Sequence, residues 1–167
     1  GRPWTDKDVD EIYKQFIPLQ LDCLPDYSDP IPGVVDAVAR FRKQGLKIGS
    51  TTGYNREMLE VLLKESGKRG FSPDSAVAAS EVPAGRPEPW MCQVVAMQLR
   101  VFPPEAIVKV GDTLPDVDEG LNAGMWTVGV LRTGNELGLT EKQIDQLPAA
   151  ELEKRLRRIR ERRSEEH

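Results

Sequence analysis

Three short stretches of this sequence carry side chains suited to phosphoryl chemistry. Ser50-Thr51-Thr52-Gly53-Tyr54-Asn55 runs directly into a helical pattern. Hydroxyls and free backbone N–H groups at a helix start bind anions, because unpaired donors and the positive end of the helix dipole converge there. The plainer reading is that Thr52 or Asn55 caps the helix. Arg86 lies in Val82-Pro83-Ala84-Gly85-Arg86-Pro87, between a strand and a helix that Pro87 is placed to begin. A guanidinium there grips two oxyanion oxygens in a fork and neutralises charge during phosphoryl transfer, or else it is a surface arginine. The third stretch is Val110-Gly111-Asp112-Thr113-Leu114-Pro115-Asp116, with Asp118, Glu119 and Gly120 close behind. A carboxylate just beyond a buried strand is poised to bind Mg²⁺ through oxygen, the ligand this hard cation requires. A second carboxylate, one turn into the following helix, can hold a metal-bound water or a neighbouring basic residue. Here the plainer reading is an Asp N-cap followed by ordinary surface acids. A GD pair alone is weak; GDxxxD after an apolar strand, with the two other loops upstream, is a stronger signal.

Other chemistries are excluded by composition. The single histidine is His167, the last residue, so Ser-His-Asp, Cys-His and HExxH arrangements cannot be built from these residues. Cys23 and Cys92 are far apart, without a CxxC or a neighbouring histidine, which argues against zinc and against a disulfide framework. A reducing cytoplasm fits that usage. No apolar run reaches the ~18 residues of a membrane span, and the N-terminal residues lack the layout of a signal peptide.

The elements that must position the three loops are legible in the periodicity. Val9, Ile12, Tyr13, Phe16 and Ile17 predict a helix over 6–20 whose start is rich in Asp; Pro18, Pro25, Pro30 and Pro32 then break regular structure, so 22–33 reads as a linker. Beyond Gly33 the pattern alternates: helix 34–44 ended by Gly45, strand 46–50, helix 56–66, strand 75–79, helix 88–99, strand 106–110, helix 116–123 and strand 126–131. Strands alternating with helices of this length imply an α/β fold, a doubly wound parallel sheet with helices on both faces. In such sheets ligands bind at the carboxyl ends of the strands, where the three loops fall.

With 167 residues and 39% apolar composition, the chain has the size of one globular domain. A net charge of −4 offers no general attraction to nucleic acid or anionic membrane. The basic residues after 150 are interleaved with Glu and with Leu152, Leu156 and Ile159 at helical spacing, which predicts a solvated amphipathic helix rather than a nucleic-acid arm.

Taken together, hydroxyls after one strand, a cation after the next and GDxxxD after another resemble motifs of the haloacid dehalogenase superfamily. The wording KIGSTTGYNREM (47–58), VPAGRPEPWMC (82–92), VKVGDTLPDVDEGLNAGMWTVGV (108–130) and NELGLT (135–140) is similar to the phosphonoacetaldehyde hydrolase (phosphonatase) family within it, over residues 5–163. The resemblance implies a haloacid dehalogenase-like Rossmannoid core and hydrolysis of the carbon–phosphorus bond of phosphonoacetaldehyde to acetaldehyde and phosphate, with Mg²⁺. It implies a cap-domain lysine that forms a Schiff base with the aldehyde and an aspartate that attacks phosphorus. It makes Thr52 and Gly53 phosphoryl ligands with Tyr54 beside them, Arg86 the charge stabiliser where most of the superfamily has lysine, Asp112 a Mg²⁺ ligand and Asp116 its support. A homodimer through the cap is implied as well.

The family's nucleophile motif and Schiff-base lysine have no match here, since Asp6-Lys7-Asp8-Val9-Asp10 opens a helix and none of Lys7, Lys14 or Lys43 falls in the right place. The chain therefore reads as truncated at both ends: residues 1–24 as the end of a helical cap domain with its linker, 25–167 as an incomplete α/β core. The strand bearing the nucleophile normally lies between the strands at 46–50 and 106–110. Without it those two must expose unpaired backbone or pair with each other. Two further readings stay open: another haloacid dehalogenase phosphatase, and a noncatalytic anion-binding module.

Overall fold

The computed structural model describes residues 2–165, with side chains described as far as residue 161. His167, the one histidine, lies outside the described residues, as does residue 166 at the end of the basic stretch after 150. Helix α1 (Asp6–Cys23) is opened by a capping box in which the Thr5 hydroxyl accepts from the Asp8 amide and the Asp8 carboxylate from the Thr5 amide. It runs through Pro18, so the expected break there is corrected. A proline removes one backbone donor, and the turns on either side carry this helix across the gap. The expected linker is partly ordered: a 3₁₀ turn over Leu24–Tyr27 buries Leu24, and the Arg69 Nη2 group donates to the Pro25 carbonyl at 3.0 Å. This ties α1 and the turn to α3 (Arg56–Lys68).

Helix α2 (Val34–Lys43) leads to β1 (Gly49–Thr52), then α3, β2 (Ser75–Ala78), α4 (Trp90–Leu99), β3 (Val108–Gly111), α5 (Leu114–Asn122) and β4 (Trp126–Gly129). Strand β1 starts and ends later than the 46–50 expected, so Thr51 and Thr52 belong to the strand rather than to the loop after it. The ladder decides this, since pairing begins at Gly49↔Ser75 and ends at Thr52↔Ala78. Helix α4 starts at Trp90 rather than 88, because Gly85 to Glu88 form a turn closed by the Glu88 amide on the Gly85 carbonyl at 3.1 Å. Pro87, in a cis peptide with Arg86, therefore sits in that turn and does not begin the helix. Helix α5 begins at Leu114, before the expected 116, because Thr113 rather than an aspartate is its N-cap.

The strands are parallel, as the alternation of elements requires, and fall into two pairs, β1 with β2 and β3 with β4. The Asp74 amide bonds the Ile48 carbonyl at 2.7 Å and the Ala79 amide the Tyr54 carbonyl at 3.1 Å, so alternate residues of β1 face β2 and those between, Gly49 and Thr51, turn their backbone away. In β3 the carbonyls of Ile107 and Gly111 accept from Trp126 and Val130, which leaves Val108 and Val110 on the edge away from β4. Among the described residues no strand pairs with either of these edges. Val108 and Val110 are 56% and 58% exposed. Of the two outcomes expected for β1 and β3, exposing backbone or pairing with each other, the first is the arrangement found.

Met58 and Leu59 of α3, Val77 and Ala78 of β2, Met91 and Cys92 of α4, and Ala123 and Met125 after α5 form the buried centre. Helices α6 (Glu141–Gln146) and α7 (Ala149–Glu165) close a second cluster of Leu137, Ile144 and Ile159, with Leu152 and Leu156 packed against it. The interleaved basic helix is thus anchored by its apolar face.

Candidate active site

Two close approaches bring α5 onto β3. A Cβ at Gly111 would lie 2.2 Å from the Asp116 Cβ, and one at Gly120 would lie 2.8 Å from the Lys109 Cβ. Glycine at these positions lets the first turns of α5 press on the strand end and carry Asp116 and Glu119, three residues apart on one helix face, to the side chains of β1 and β3. Thr113 accepts from the Asp116 amide and donates its hydroxyl to Asp116 Oδ2 at 2.6 Å, which fixes that carboxylate.

Arg86 reaches this point from the turn before α4. Its Nε lies 3.1 Å from both Asp116 Oδ1 and Glu119 Oε2, and its Nη2 donates to the Thr51 carbonyl at 2.9 Å and the Thr51 hydroxyl at 3.1 Å. Nη1 finds no acceptor among the described residues. Lys109 enters from β3, donating to the Thr51 hydroxyl at 2.8 Å and pairing with Glu119 and Asp116. Two cations and two carboxylates therefore balance in a site where the Glu119 side chain is 0% exposed and that of Lys109 is 9%. Breaking such a buried pair by removing one partner costs about 3–5 kcal/mol, because the other charge stays behind unpaired. Burial pushes the Asp116 carboxyl up, but the Thr113 hydroxyl and the charges of Arg86 and Lys109 outweigh it and hold the group below the usual carboxylate range.

The residues expected from sequence divide into three places. Arg86 and Asp116 meet, so of the two partners left open for the second carboxylate, a metal-bound water or a neighbouring basic residue, the structure shows the basic one. Thr52 does not join them. Its neighbour Thr51 does, because adjacent strand residues point to opposite faces, and the Thr52 hydroxyl instead accepts from the Tyr54 amide at 3.3 Å. Asn55, not Thr52, caps α3, its Oδ1 accepting from the Met58 amide at 2.9 Å. Gly53 lies in open space at the strand end, and the Tyr54 hydroxyl is bonded to Gln20 of α1 at 3.2 Å, lining a cleft of roughly 250 Å³ with Tyr13, Phe16 and Ile17. Asp112 stands apart at the end of β3, where the Asn135 amide donates to its Oδ2 at 2.9 Å and Gly134 packs against its Cβ.

Asp112 suits a hard cation by its oxygen donor and its place at a strand end. Among the described residues no group of three or more His, Cys, Asp or Glu could cage a metal. Mg²⁺ commonly takes one or two carboxylates and fills its remaining positions with water and phosphate oxygens, so a lone carboxylate is compatible with it. Both oxygens of Asp116 are already committed to Thr113 and the cations.

Thr51, Lys109 and Glu119 were not singled out by sequence reasoning. A signal was there for Lys109: in Val108-Lys109-Val110-Gly111 the alternation puts the lysine on the same face as Gly111, toward α5. Cys92 lies against the same cluster. Burial, with the Glu119 charge, pushes its thiol up to about 11 despite the opposing Lys109 and Arg86 charges. Cys92 is 4% exposed and Cys23 is half-buried, so a disulfide reagent at pH 8 should titrate one thiol rapidly and the second only after unfolding. Two fast thiols would contradict this packing.

The core is parallel α/β, with Arg86 and Asp116 brought together beyond its strands and Asp112 apart at the end of β3. Residues 2–124 match the haloacid dehalogenase-like hydrolase family, and the chain belongs to it. Among its relatives, the phosphonoacetaldehyde hydrolase of Bacillus cytotoxicus is 49% identical over 162 residues, covering 97% of this chain and 61% of that protein. That of Syntrophobacter fumaroxidans is 50% identical over 156 residues, covering 93% of this chain and 56% of the relative. The crystal structure of a phosphonoacetaldehyde hydrolase-like protein from Oleispira antarctica has a TM-score of 0.93 at 36% identity, over 99% of this chain and 60% of that one. The chain thus spans about three-fifths of the length of the curated relatives it matches. Among the described residues no helix is long and apolar enough to cross a membrane.

Proposed function

We propose that this chain forms the phosphoryl-binding part of a Mg²⁺-dependent phosphonoacetaldehyde hydrolase. The observation that carries the reading is the Arg86 guanidinium, anchored by Asp116, Glu119 and Thr51 with Nη1 left for an oxyanion. The names of its relatives, at 49% identity, support phosphonoacetaldehyde as the substrate.

On this reading α1 and the turn after it are the end of a cap domain, and residues 25–167 belong to the core. An additional strand of the whole protein pairs with the open edges of β1 and β3 and brings the nucleophilic aspartate, while a cap lysine condenses with the aldehyde. The aspartate attacks phosphorus and the carbon–phosphorus bond breaks. Its electron pair passes into the enamine formed with the lysine, so no bare carbanion forms; protonation and hydrolysis then release acetaldehyde, and water frees phosphate from the aspartyl phosphate. Arg86 binds the phosphoryl oxygens as their charge develops, the loop at Thr52 and Gly53 offers further donors, and Tyr54 borders the cleft beneath α1. Asp112 would hold Mg²⁺, which when bound supplies positive charge against the phosphoryl oxygens. Asp116 steadies Arg86 rather than the metal. The whole protein acts in the cytoplasm on a small phosphonate, with no nucleic acid or membrane partner, and dimerises through the cap, where Ile12, Tyr13 and Leu19 leave an apolar face of α1 exposed.

Comparing phosphonoacetaldehyde with a simple phosphate monoester as substrates of the whole protein tests the reading. Acetaldehyde release should dominate, stop with a chelator and return with Mg²⁺. Preference for the monoester would favour another haloacid dehalogenase phosphatase, and no turnover of either would favour a binding module.

A further inference from the structure

Glu119 stands at the centre of the charged cluster, and in the reaction just described it touches Arg86 but no reacting group. Its Oε2 receives Arg86 Nε at 3.1 Å, the Lys109 ammonium and, more distantly, the Thr51 hydroxyl at 3.4 Å. Its Oε1 is buried without a hydrogen bond of ordinary geometry, although the Cys92 thiol is close enough for the Glu119 carboxylate to act on it. A buried ion pair such as Lys109–Glu119 is often no more stabilising than two apolar side chains of similar volume. Stability alone therefore gives a weak account of two charges placed here. Orientation gives a better one. Arg86 has Nη2 pinned by Thr51 on β1 and Nε shared between two carboxylates of α5, so its guanidinium plane is fixed from both sides while Nη1 has no acceptor among the described residues. The Nε–H makes its hydrogen bond to Glu119 Oε2, whereas Asp116 Oδ1, at the same 3.1 Å, meets it only as an ion pair.

We propose that Glu119 is a positioning residue for Arg86: its Oε2 locks the guanidinium plane so that Nη1 remains available to a phosphoryl oxyanion, and Lys109 balances the buried charge this requires. The value of that orientation rests on the proposed phosphoryl chemistry; the locking itself does not.

Nitrogen-15 NMR of the 167-residue chain reads the locking directly. The Arg86 Nε–H should exchange slowly with solvent, among the most protected arginine signals, and a fast-exchanging Arg86 Nε–H in the unsubstituted chain would overturn the proposal. In Glu119→Gln the exchange should quicken and the affinity for inorganic phosphate fall by about tenfold, the low end of what loss of an orienting partner costs. The double variant Lys109→Met/Glu119→Leu removes both charges and keeps the volume. If Glu119 merely neutralises Lys109, this variant should protect Arg86 and bind phosphate like the unsubstituted chain; the proposal expects it to resemble Glu119→Gln in both, whatever its melting temperature. Unchanged Arg86 exchange in either folded variant would refute the positioning role. Absence of phosphate binding by the unsubstituted chain, with Arg86 still protected through Glu119, would sink the functional reading and leave the locking intact.

Discussion

Incubated with phosphonoacetaldehyde and Mg²⁺, the 167-residue chain should release no detectable acetaldehyde, and the whole protein carrying the nucleophile motif and the cap lysine should release it readily. On the proposed reading the groups present bind a phosphonate but do not start the reaction. Asp116 has both oxygens committed, and Lys109, 9% exposed, is paired with two carboxylates and the Thr51 hydroxyl, so neither is free to attack phosphorus or the aldehyde. Enzymes stripped of their covalent machinery retain residual rates of about 10³–10⁴ over water through oxyanion donors and binding alone. Such a remainder helps little where the leaving group is carbon, because the electron pair has nowhere stable to go without the enamine. Borohydride with substrate should accordingly trap the whole protein by reducing its Schiff base, and leave the 167-residue chain unmodified. Steady turnover by the chain alone would overturn the account and turn attention to Asp112, which lies apart from the Arg86 cluster at the end of β3.

Much of the frame is legible in the sequence because local signals and tertiary structure agree there. Thr113-Leu114-Pro115-Asp116 is a capping box with proline in the first turn, and α5 forms where that chemistry says it should, two residues before the apolar spacing alone suggested. The open strand edges were readable too, from the family's strand order. The failures come where distant contacts decide. Leu46, 50% exposed, reads as strand by its own character, yet β1 begins at Gly49 because that is where Ser75 supplies a partner. The choice of Thr51 over Thr52 turns on strand phase, which a three-residue shift of boundary reverses from loop to ladder. Glu119 and Lys109 were passed over for a deeper reason: charged residues read as surface, and how deeply these two are buried becomes apparent only once α5 is laid against β3 through Gly120.

Replacing Arg86 separates charge from geometry at this site. Arg86→Lys keeps a cation but cannot reproduce the set of contacts, since an ammonium on a shorter fork-free stem cannot hold two carboxylates through Nε, Thr51 through Nη2 and an oxyanion through Nη1 at once. In the whole protein turnover should fall by about 10²–10³, the scale for losing one preorganised oxyanion donor. Arg86→Met removes the charge as well and should cost more. Acid unfolding of the 167-residue chain distinguishes the two. The Asp116 carboxyl is held below its usual value of 3.8, so its contribution to stability is complete above that value and is lost as pH falls through the depressed one. Lysine at position 86 leaves a positive charge near Asp116 and should keep the acid transition close to that of the unsubstituted chain. Methionine leaves Asp116 with Lys109 as its one cationic partner among the described residues and should move the transition to higher pH. If Arg86→Lys turned over at the original rate, Arg86 would be a counter-charge for Asp116 and Glu119, and the fork assigned to it would have no catalytic part.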